Sequence, residues 1–148
     1  MENYDLLAKQ LNSLLQGVDK EVSKLANASA FLFNSLEDVS WVGFYLLDKD
    51  YLYLGPFQGK AACTVIPVGK GVCGTSIARK ETVLVSNVHE FPGHIACDSE
   101  SNSEIVIPIY KNKDIYGVLD IDSKSLNRFS DLDRVGLEKI TSVINENL

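Results

Sequence analysis

Apolar residues at spacings of three and four predict helices at both ends of the chain. Near the N-terminus this stripe continues over 4–36, as in amphipathic helices that pack one face on a core. It is interrupted at 17–19, where the Asp19 carboxylate can cap a second helix. The same period returns after Ser130 and predicts a C-terminal helix. The apolar positions are Leu7, Leu11, Leu14, Leu15, Val18, Val22, Leu25, Phe33, Leu36, Leu132, Val135, Leu137, Ile140 and Val143.

Between these helices, runs of aromatic and β-branched residues bounded by turn residues predict strands. A short helix is predicted over 73–80. The polar connection over 87–103 is long for a compact domain, and connections of that length are usually functional. The predicted strands are 41–47, 51–57, 63–68, 83–86, 105–109 and 116–122, with turns at 48–50 and 111–114.

This order of elements is typical of an α+β domain. We expect a single domain over 1–148 with a mostly antiparallel central sheet. The helices from the N- and C-termini would pack on one face of the sheet. The opposite face, covered by residues 57–103, would hold the functional site under loops.

Composition and charge exclude several classes of protein. The chain is 45% hydrophobic and 23% charged, as in ordinary globular proteins, and its net charge of −6 argues against binding nucleic acid. No apolar run approaches the ~20 residues that span a bilayer, so no membrane association is expected. The N-terminus lacks the basic and apolar regions of a signal peptide. We therefore expect a cytoplasmic protein.

Acidic residues interrupt one of the predicted strands. Alternation places Asp120 and Asp122 on the same face, and Glu104 immediately precedes the neighbouring strand. Strands are depleted in Asp, and two buried carboxylates would require a cation. The alternative is a solvated face with Lys113 or Lys124 beside the acids.

Aromatic residues share one face of the first strand. Trp41 and Tyr45 flank Gly43, which would leave a space between the two rings. Acids and rings together suggest a small zwitterion with an apolar tail, whose ammonium binds the acids. The alternative for the rings is an ordinary sheet core.

The three cysteines allow three interpretations. Buried free thiols are common, and a zinc site is disfavoured because nine residues separate Cys63 from Cys73. Redox chemistry fits better. Cys73 lies near a predicted helix start and close to Lys70, and Cys97 lies beside His94. Either environment favours a thiolate, so the residues alone do not choose between Cys73 and Cys97.

Four segments together resemble a known family. They are Gly-Lys-Gly-Val-Cys-Gly at 69–74, Phe-Pro-Gly-His-Ile-Ala-Cys-Asp at 91–98, Ser-Glu-Ile-Val-Ile-Pro at 103–108 and Gly-Val-Leu-Asp-Ile-Asp-Ser at 117–123. This set, including the spacing of all three cysteines, resembles the free methionine-(R)-sulfoxide reductases, which are built on a GAF domain. The similarity runs from Trp41 to Ser123.

The resemblance implies a role for each cysteine. Cys97 would attack the sulfoxide sulfur, release methionine and become a sulfenic acid. Cys63 would resolve that sulfenic acid as a disulfide, with Cys73 as the alternative resolver, and thioredoxin would reduce the disulfide. No metal or cofactor is implied. The substrate-binding positions would be Trp41, Tyr45, Ile95, Glu104, Asp120 and Asp122.

The chemistry implied by the resemblance agrees with the acid cluster. Sulfoxide reduction needs a proton on the departing oxygen, and clustering raises carboxyl pKa values, although the sequence does not say which acid donates. The loop over 87–103 would close over the ligand. A homodimer through the terminal helices is compatible with a GAF domain. Two rivals remain, a GAF sensor that binds a small molecule without turnover and a thiol redox switch.

Overall fold

A computed structural model describes residues 2–95 and 99–148, and within these ranges six strands form one antiparallel sheet. The strand order is β3-β2-β1-β6-β5-β4, so the adjacent central strands β1 and β6 come from distant parts of the sequence. The strands are β1 (Trp41–Asp48), β2 (Tyr51–Gln58), β3 (Val65–Pro67), β4 (Val83–Val85), β5 (Ser103–Lys111) and β6 (Asp114–Ser123).

Three long helices cover one face of this sheet. They are α1 (Tyr4–Leu15), α2 (Glu21–Ser35) and α4 (Asp131–Asn147). Helix α1 packs on α4, α2 packs on β1 and β2, and α4 packs on β5. Ser130 begins α4 with a capping box, in which its hydroxyl accepts from the Asp133 amide and the Asp133 carboxylate accepts from the Ser130 amide.

Most of the predicted stripe residues pack between these helices and the sheet, whereas Leu14, Val22, Leu132 and Val135, which were also predicted to belong to the stripes, are exposed. Leu11, Leu32 and Leu137 are fully buried, and they meet strand residues such as Phe44 and Leu119. Replacing one such leucine by alanine usually costs about 2–5 kcal/mol. The α+β class and the packing of the terminal helices on one face are therefore confirmed.

The opposite face carries the short elements. Helix α3 (Gly71–Arg79) packs across β5 and β6 and contacts β3 and β4, and a 3-10 helix (Val88–Glu90) follows β4. A second apolar cluster, which includes Trp41, Tyr45 and Cys73, lies beneath them. The predicted arrangement, in which residues 57–103 cover the face of the sheet opposite the terminal helices, is confirmed.

Three local predictions were wrong. Lys20, rather than Asp19, is the N-cap of α2, and it makes no side-chain capping bond. Strand β3 is shorter than the predicted 63–68, and Cys63 precedes it in an irregular segment. Helix α3 begins at Gly71 instead of residue 73, because Gly71 supplies a positive φ of 63° at the turn into the helix. Over the described ranges, no helix is both long and apolar enough to cross a membrane.

Candidate active site

Three carboxyl groups converge on the loop-covered face of the sheet. Asp120 and Asp122 lie on β6, and pairing with β5 sets Glu104 directly opposite Asp122. Glu104 and Asp120 are only 7% and 5% exposed, so the alternative of a solvated acidic face is wrong. Lys124, which that alternative offered as a neighbour, instead forms an ion pair with Glu100 at 3.1 Å.

Burial raises the pKa values of Glu104 and Asp120, and repulsion by neighbouring acids adds to the effect at Glu104. Burial raises the pKa of Glu104 well above its ordinary value, and the charges of Asp120 and Asp122 raise it further. Burial also raises the pKa of Asp120, but hydrogen bonds to Glu104 and Cys73 oppose that increase. In this arrangement Asp120 accepts hydrogen bonds, whereas Glu104 is the carboxyl that most readily stays protonated.

Aromatic rings form one wall of the pocket. The Trp41 ring stacks on Tyr45 at a centroid separation of 5.9 Å and on Phe57 at 5.2 Å. A Cβ built on Gly43 would lie 2.5 Å from the Trp41 ring. The expected space at Gly43 is therefore filled, because the absent side chain lets the Trp41 ring lie flat against the strand.

Cys73 has properties opposite to those expected of a thiolate. It is the third residue of α3 and is a free, buried thiol. Burial raises its pKa well above the ordinary value, and the nearby charges of Asp120, Glu104 and Asp122 raise it further. The prediction that helix amides and Lys70 activate Cys73 was wrong, because burial among acids outweighs the helix terminus and the Lys70 side chain is exposed.

Of the two remaining cysteines, Cys63 lies among the described residues. Cys63 is half-buried and disulfide-bonded, and it packs against the apolar cluster beneath α3. Cys97 lies outside the described residues. His94 lines the pocket, and burial, followed by the charge of His89, lowers its pKa. A lowered pKa favours the neutral His94 ring at neutral pH.

The pocket brings all six of the predicted substrate-binding residues together. Trp41, Tyr45, Ile95, Glu104, Asp120 and Asp122 all line it, as does Cys73. Three further lining residues, Ala61, Ala62 and Ile66, are small or apolar and were not predicted from the sequence. Gly71 and Val72, which belong to the motif at 69–74, also line the pocket.

Ser101, which is only 6% exposed, was also not predicted from the sequence. Among the described residues, two buried side-chain atoms lack a hydrogen-bond partner, Ser101 Oγ and Asp120 Oδ1. Both residues line this pocket. Buried polar atoms are rarely left unpaired, so these two indicate a place where a ligand completes the hydrogen bonding.

The same groups are suited to a cation. Ligand atoms of Cys73, Glu104 and Asp120 lie within 4.8 Å of one another. The charges that act on Glu104 and Cys73 come from acidic groups. A positive charge near Asp120 would compensate this excess of acidic groups, and the ammonium of an amino acid is of suitable size and charge.

Comparisons with known proteins identify the family. A model of the GAF domain matches residues 10–148. Free methionine-R-sulfoxide reductase of Escherichia coli is 50% identical over 145 residues, which cover 98% of this chain and 88% of that protein. The reduced form of fRMsr of Staphylococcus aureus superposes with a TM-score of 0.96 at 50% identity, covering 100% of this chain and 96% of that one.

A structure of the same S. aureus protein in complex with its substrate superposes with a TM-score of 0.95 at 49% identity, covering 100% of this chain and 97% of that one. The similarity extends through the terminal helices as well as the motif-bearing strands. The family resemblance drawn from 41–123 is thus confirmed over the full chain. This chain belongs to the free methionine-R-sulfoxide reductases, a family of oxidoreductases built on the GAF domain.

Proposed function

We propose that this protein reduces free L-methionine-(R)-sulfoxide to methionine. The carrying observation is the pocket in which three buried or half-buried carboxyl groups face an aromatic wall, with Asp120 Oδ1 and Ser101 Oγ unpaired among the described residues. Relatives at 50% and 42% identity carry the name of this activity, which supports the assignment.

Charge explains why the substrate is the free amino acid. The ammonium group binds to Asp120 and Asp122, and the methyl and sulfoxide end contacts Trp41 and Tyr45. Within a peptide the backbone nitrogen of methionine carries no positive charge, so it would leave the buried acids uncompensated. That difference disfavours protein-bound methionine sulfoxide.

The first chemical step is carried by Cys97, whose role is assigned from the family resemblance. Its thiolate attacks the sulfoxide sulfur, the sulfoxide oxygen is transferred to Cys97, and methionine departs. The Cys97 thiol is oxidised by two electrons to a sulfenic acid while the sulfoxide is reduced by two electrons to a thioether. No other oxidant or reductant takes part in this step.

Glu104 is the proton donor in this proposal. The sulfoxide oxygen becomes basic as the sulfur–oxygen bond weakens and needs a proton from a neutral acid. Glu104 has the raised pKa that this role requires, because it is buried beside Asp120 and Asp122. Asp120, which accepts hydrogen bonds, remains available to bind the ammonium.

The second step forms a disulfide between Cys63 and Cys97 and releases water. The bonded state of Cys63 and the free state of Cys73 support Cys63 as the resolving residue. The raised pKa of Cys73 also disfavours it as a nucleophile. Thioredoxin then reduces the disulfide by thiol–disulfide exchange, as expected in a reducing cytoplasm.

A coupled assay tests the activity. With thioredoxin, its reductase and NADPH, the (R)-sulfoxide of free methionine should be consumed, whereas the (S) form and the N-acetylated (R) form should not. Asp120→Asn should weaken substrate binding, since the amide carries no charge for the ammonium. Consumption of none of the three compounds by a folded enzyme would overturn the proposal.

Cysteine variants in the same assay test the assigned order. Cys97→Ser should abolish turnover. Cys63→Ser should release about one methionine per enzyme and then stop, because the sulfenic acid cannot be resolved. Cys73→Ser should continue to turn over, and stalling of this variant instead of Cys63→Ser would reverse the assignment of the resolver.

A further inference from the structure

The segment that carries Cys63 is tied to the aromatic wall of the pocket. Residues 59–64 connect β2 to β3 without regular secondary structure. The Tyr45 hydroxyl donates a hydrogen bond to the carbonyl oxygen of Cys63 at 2.9 Å. The indole Nε1 of Trp41 donates to the carbonyl oxygen of Lys60 at 3.0 Å. Two backbone positions of this irregular segment are therefore held by side chains from β1.

Both donors are rigidly placed. Trp41 and Tyr45 are 3% and 2% exposed, and their rings lie 23° from parallel. Strand β1 is paired with β2 on one side and with β6 on the other. A donor fixed by a central strand and by ring stacking gives its acceptor a fixed position relative to the pocket.

We propose that Tyr45 is a positioning residue for disulfide formation, whose hydroxyl holds the Cys63 backbone where the Cys63 thiol meets the sulfenic acid. This inference rests on the proposed function, in which Cys63 resolves Cys97. It gives Tyr45 a second role, because its ring lines the substrate pocket while its hydroxyl fixes the resolving residue. Trp41 acts in the same way at Lys60.

Geometry makes such a tether effective. A disulfide requires Cα atoms about 4.4–6.8 Å apart and a narrow range of torsion angles. An irregular segment without a tether would visit that arrangement rarely, whereas a held backbone raises the effective concentration of the thiol. Burial, followed by the nearby acidic groups Asp120, Cys73, Asp122 and Glu104, raises the pKa of Tyr45, so the phenol remains a donor at physiological pH.

Tyr45→Phe removes this hydrogen bond and keeps the ring. The fully reduced enzyme is mixed with one equivalent of free methionine-(R)-sulfoxide, without a reductant, and quenched at intervals. Methionine release reports the first step. The second step is disulfide formation between Cys63 and Cys97, and it is monitored by the disappearance of the Cys63 thiol as one water is released. We expect the ratio of the second rate to the first to fall about tenfold in Tyr45→Phe.

Sulfenic acid provides an independent signature. Dimedone condenses with a sulfenic acid to give a thioether and water, so it should trap more Cys97 in Tyr45→Phe than in the unmodified protein. Tyr53→Phe is the matched control, because it removes a phenol from a side chain that is 43% exposed on β2. Its rate ratio should equal that of the unmodified protein. Trp41→Phe, which removes the Lys60 tether, should lower the ratio as Tyr45→Phe does.

The outcomes separate this inference from the proposed function. If Cys63→Ser accumulates the dimedone adduct but Tyr45→Phe keeps the ratio of the unmodified protein, the positioning role of Tyr45 is overturned and the proposed function stands. If Cys63→Ser accumulates no adduct while methionine is released, the resolving role of Cys63 is overturned, and the inference falls with it.

Discussion

At the scale of single residues, Glu104 shows how a binding site opposes stability. A carboxyl group that is buried beside two other acids is unfavourable when it ionises. Burial first, and then Asp120 and Asp122, raise its pKa in the folded protein. The folded protein thus holds a proton that the unfolded chain has released, and stability falls as pH rises above the unfolded value of about 4.3.

Glu104→Gln should therefore stabilise the protein while impairing catalysis. We expect a gain in the free energy of unfolding of about 1 kcal/mol at pH 8, as for other replacements at strained functional sites. The gain should be smaller at pH 5, where Glu104 is protonated. Turnover should fall about 100-fold or more, because an amide supplies no proton.

Urea unfolding at both pH values measures the stability change. Glu90→Gln is the matched control, since Glu90 is exposed outside the sheet, and it should change stability equally at the two pH values. A Glu104→Gln protein with no greater gain at pH 8 than at pH 5 would contradict the burial argument.

A second prediction at this scale concerns Ser101, which lines the pocket. Its hydroxyl has no hydrogen-bond partner among the described residues, so Ser101→Ala removes no bond from the folded protein that the structure describes. We expect KM for the sulfoxide to rise about 5-fold, the range of a single lost hydrogen bond, with little change in the urea midpoint. Ser99→Ala, an exposed neighbour, is the control, and an unchanged KM in Ser101→Ala would exclude contact with the substrate.

At the scale of secondary-structure elements, the sequence predicts the features that follow from a regular spacing of residues. The spacing of Leu7 and Leu11 predicts α1, and alternation predicts that Asp120 and Asp122 share a face of β6. The position of Glu104 beside them follows once β5 and β6 are joined by the short turn at 112–113. These features depend only on local periodicity and on a tight connection.

Other features depend on contacts between elements that are far apart in the sequence. Such features cannot be predicted from the spacing of residues along the chain. The pKa of Cys73 is set by the acids of β5 and β6 against which α3 packs, and not by its own helix terminus. The Trp41 ring fills the space at Gly43 because of the side-chain conformation it adopts. A serine such as Ser101 in a polar loop carries no pattern that distinguishes it from its neighbours.

The start of α3 allows a test of how this element shapes the pocket. Gly71 has φ +63°, and a Cβ there would lie 3.2 Å from the Ile95 side chain. Gly71→Ala should lower the free energy of unfolding by about 1–2 kcal/mol through backbone strain and should also raise KM by displacing Ile95.

Gly69→Ala is the matched control for Gly71→Ala. Gly69 also has a positive φ, of +87°, but a Cβ there would meet nothing within 4 Å. Gly69→Ala should therefore show a similar loss in urea unfolding without the increase in KM. If both variants raise KM equally, backbone strain rather than contact with Ile95 shapes the pocket.

At the scale of the whole molecule, the segments around α1 and α4 are joined away from the active site. Tyr4 donates to Asp133 Oδ1 at 2.6 Å, and Gln16 donates to Asn147 Oδ1 at 3.0 Å. The Arg128 side chain, 11% exposed, contacts Glu2 at 2.9 Å and Asp133 at 3.3 Å. It also donates to the carbonyl oxygen of Glu37 at 2.9 Å. Arg128 thus links the N-terminus, the α2–β1 connection and the start of α4.

Arg128→Met should destabilise the fold without changing the chemistry. Removing one member of a largely buried charge network leaves Glu2 and Asp133 without their cation, so we expect a loss of about 2–4 kcal/mol in the free energy of unfolding. Turnover per folded molecule should be retained, because the hydrogen-bond partners of the Arg128 side chain, which are Glu2, Glu37 and Asp133, do not line the active-site pocket. Arg134→Met is the control, since its ion pairs with Asp131 and Glu138 are more exposed and should contribute little. Equal losses for the two variants in urea unfolding would mean that Arg128 acts as an ordinary surface charge and that helix packing alone joins the two segments.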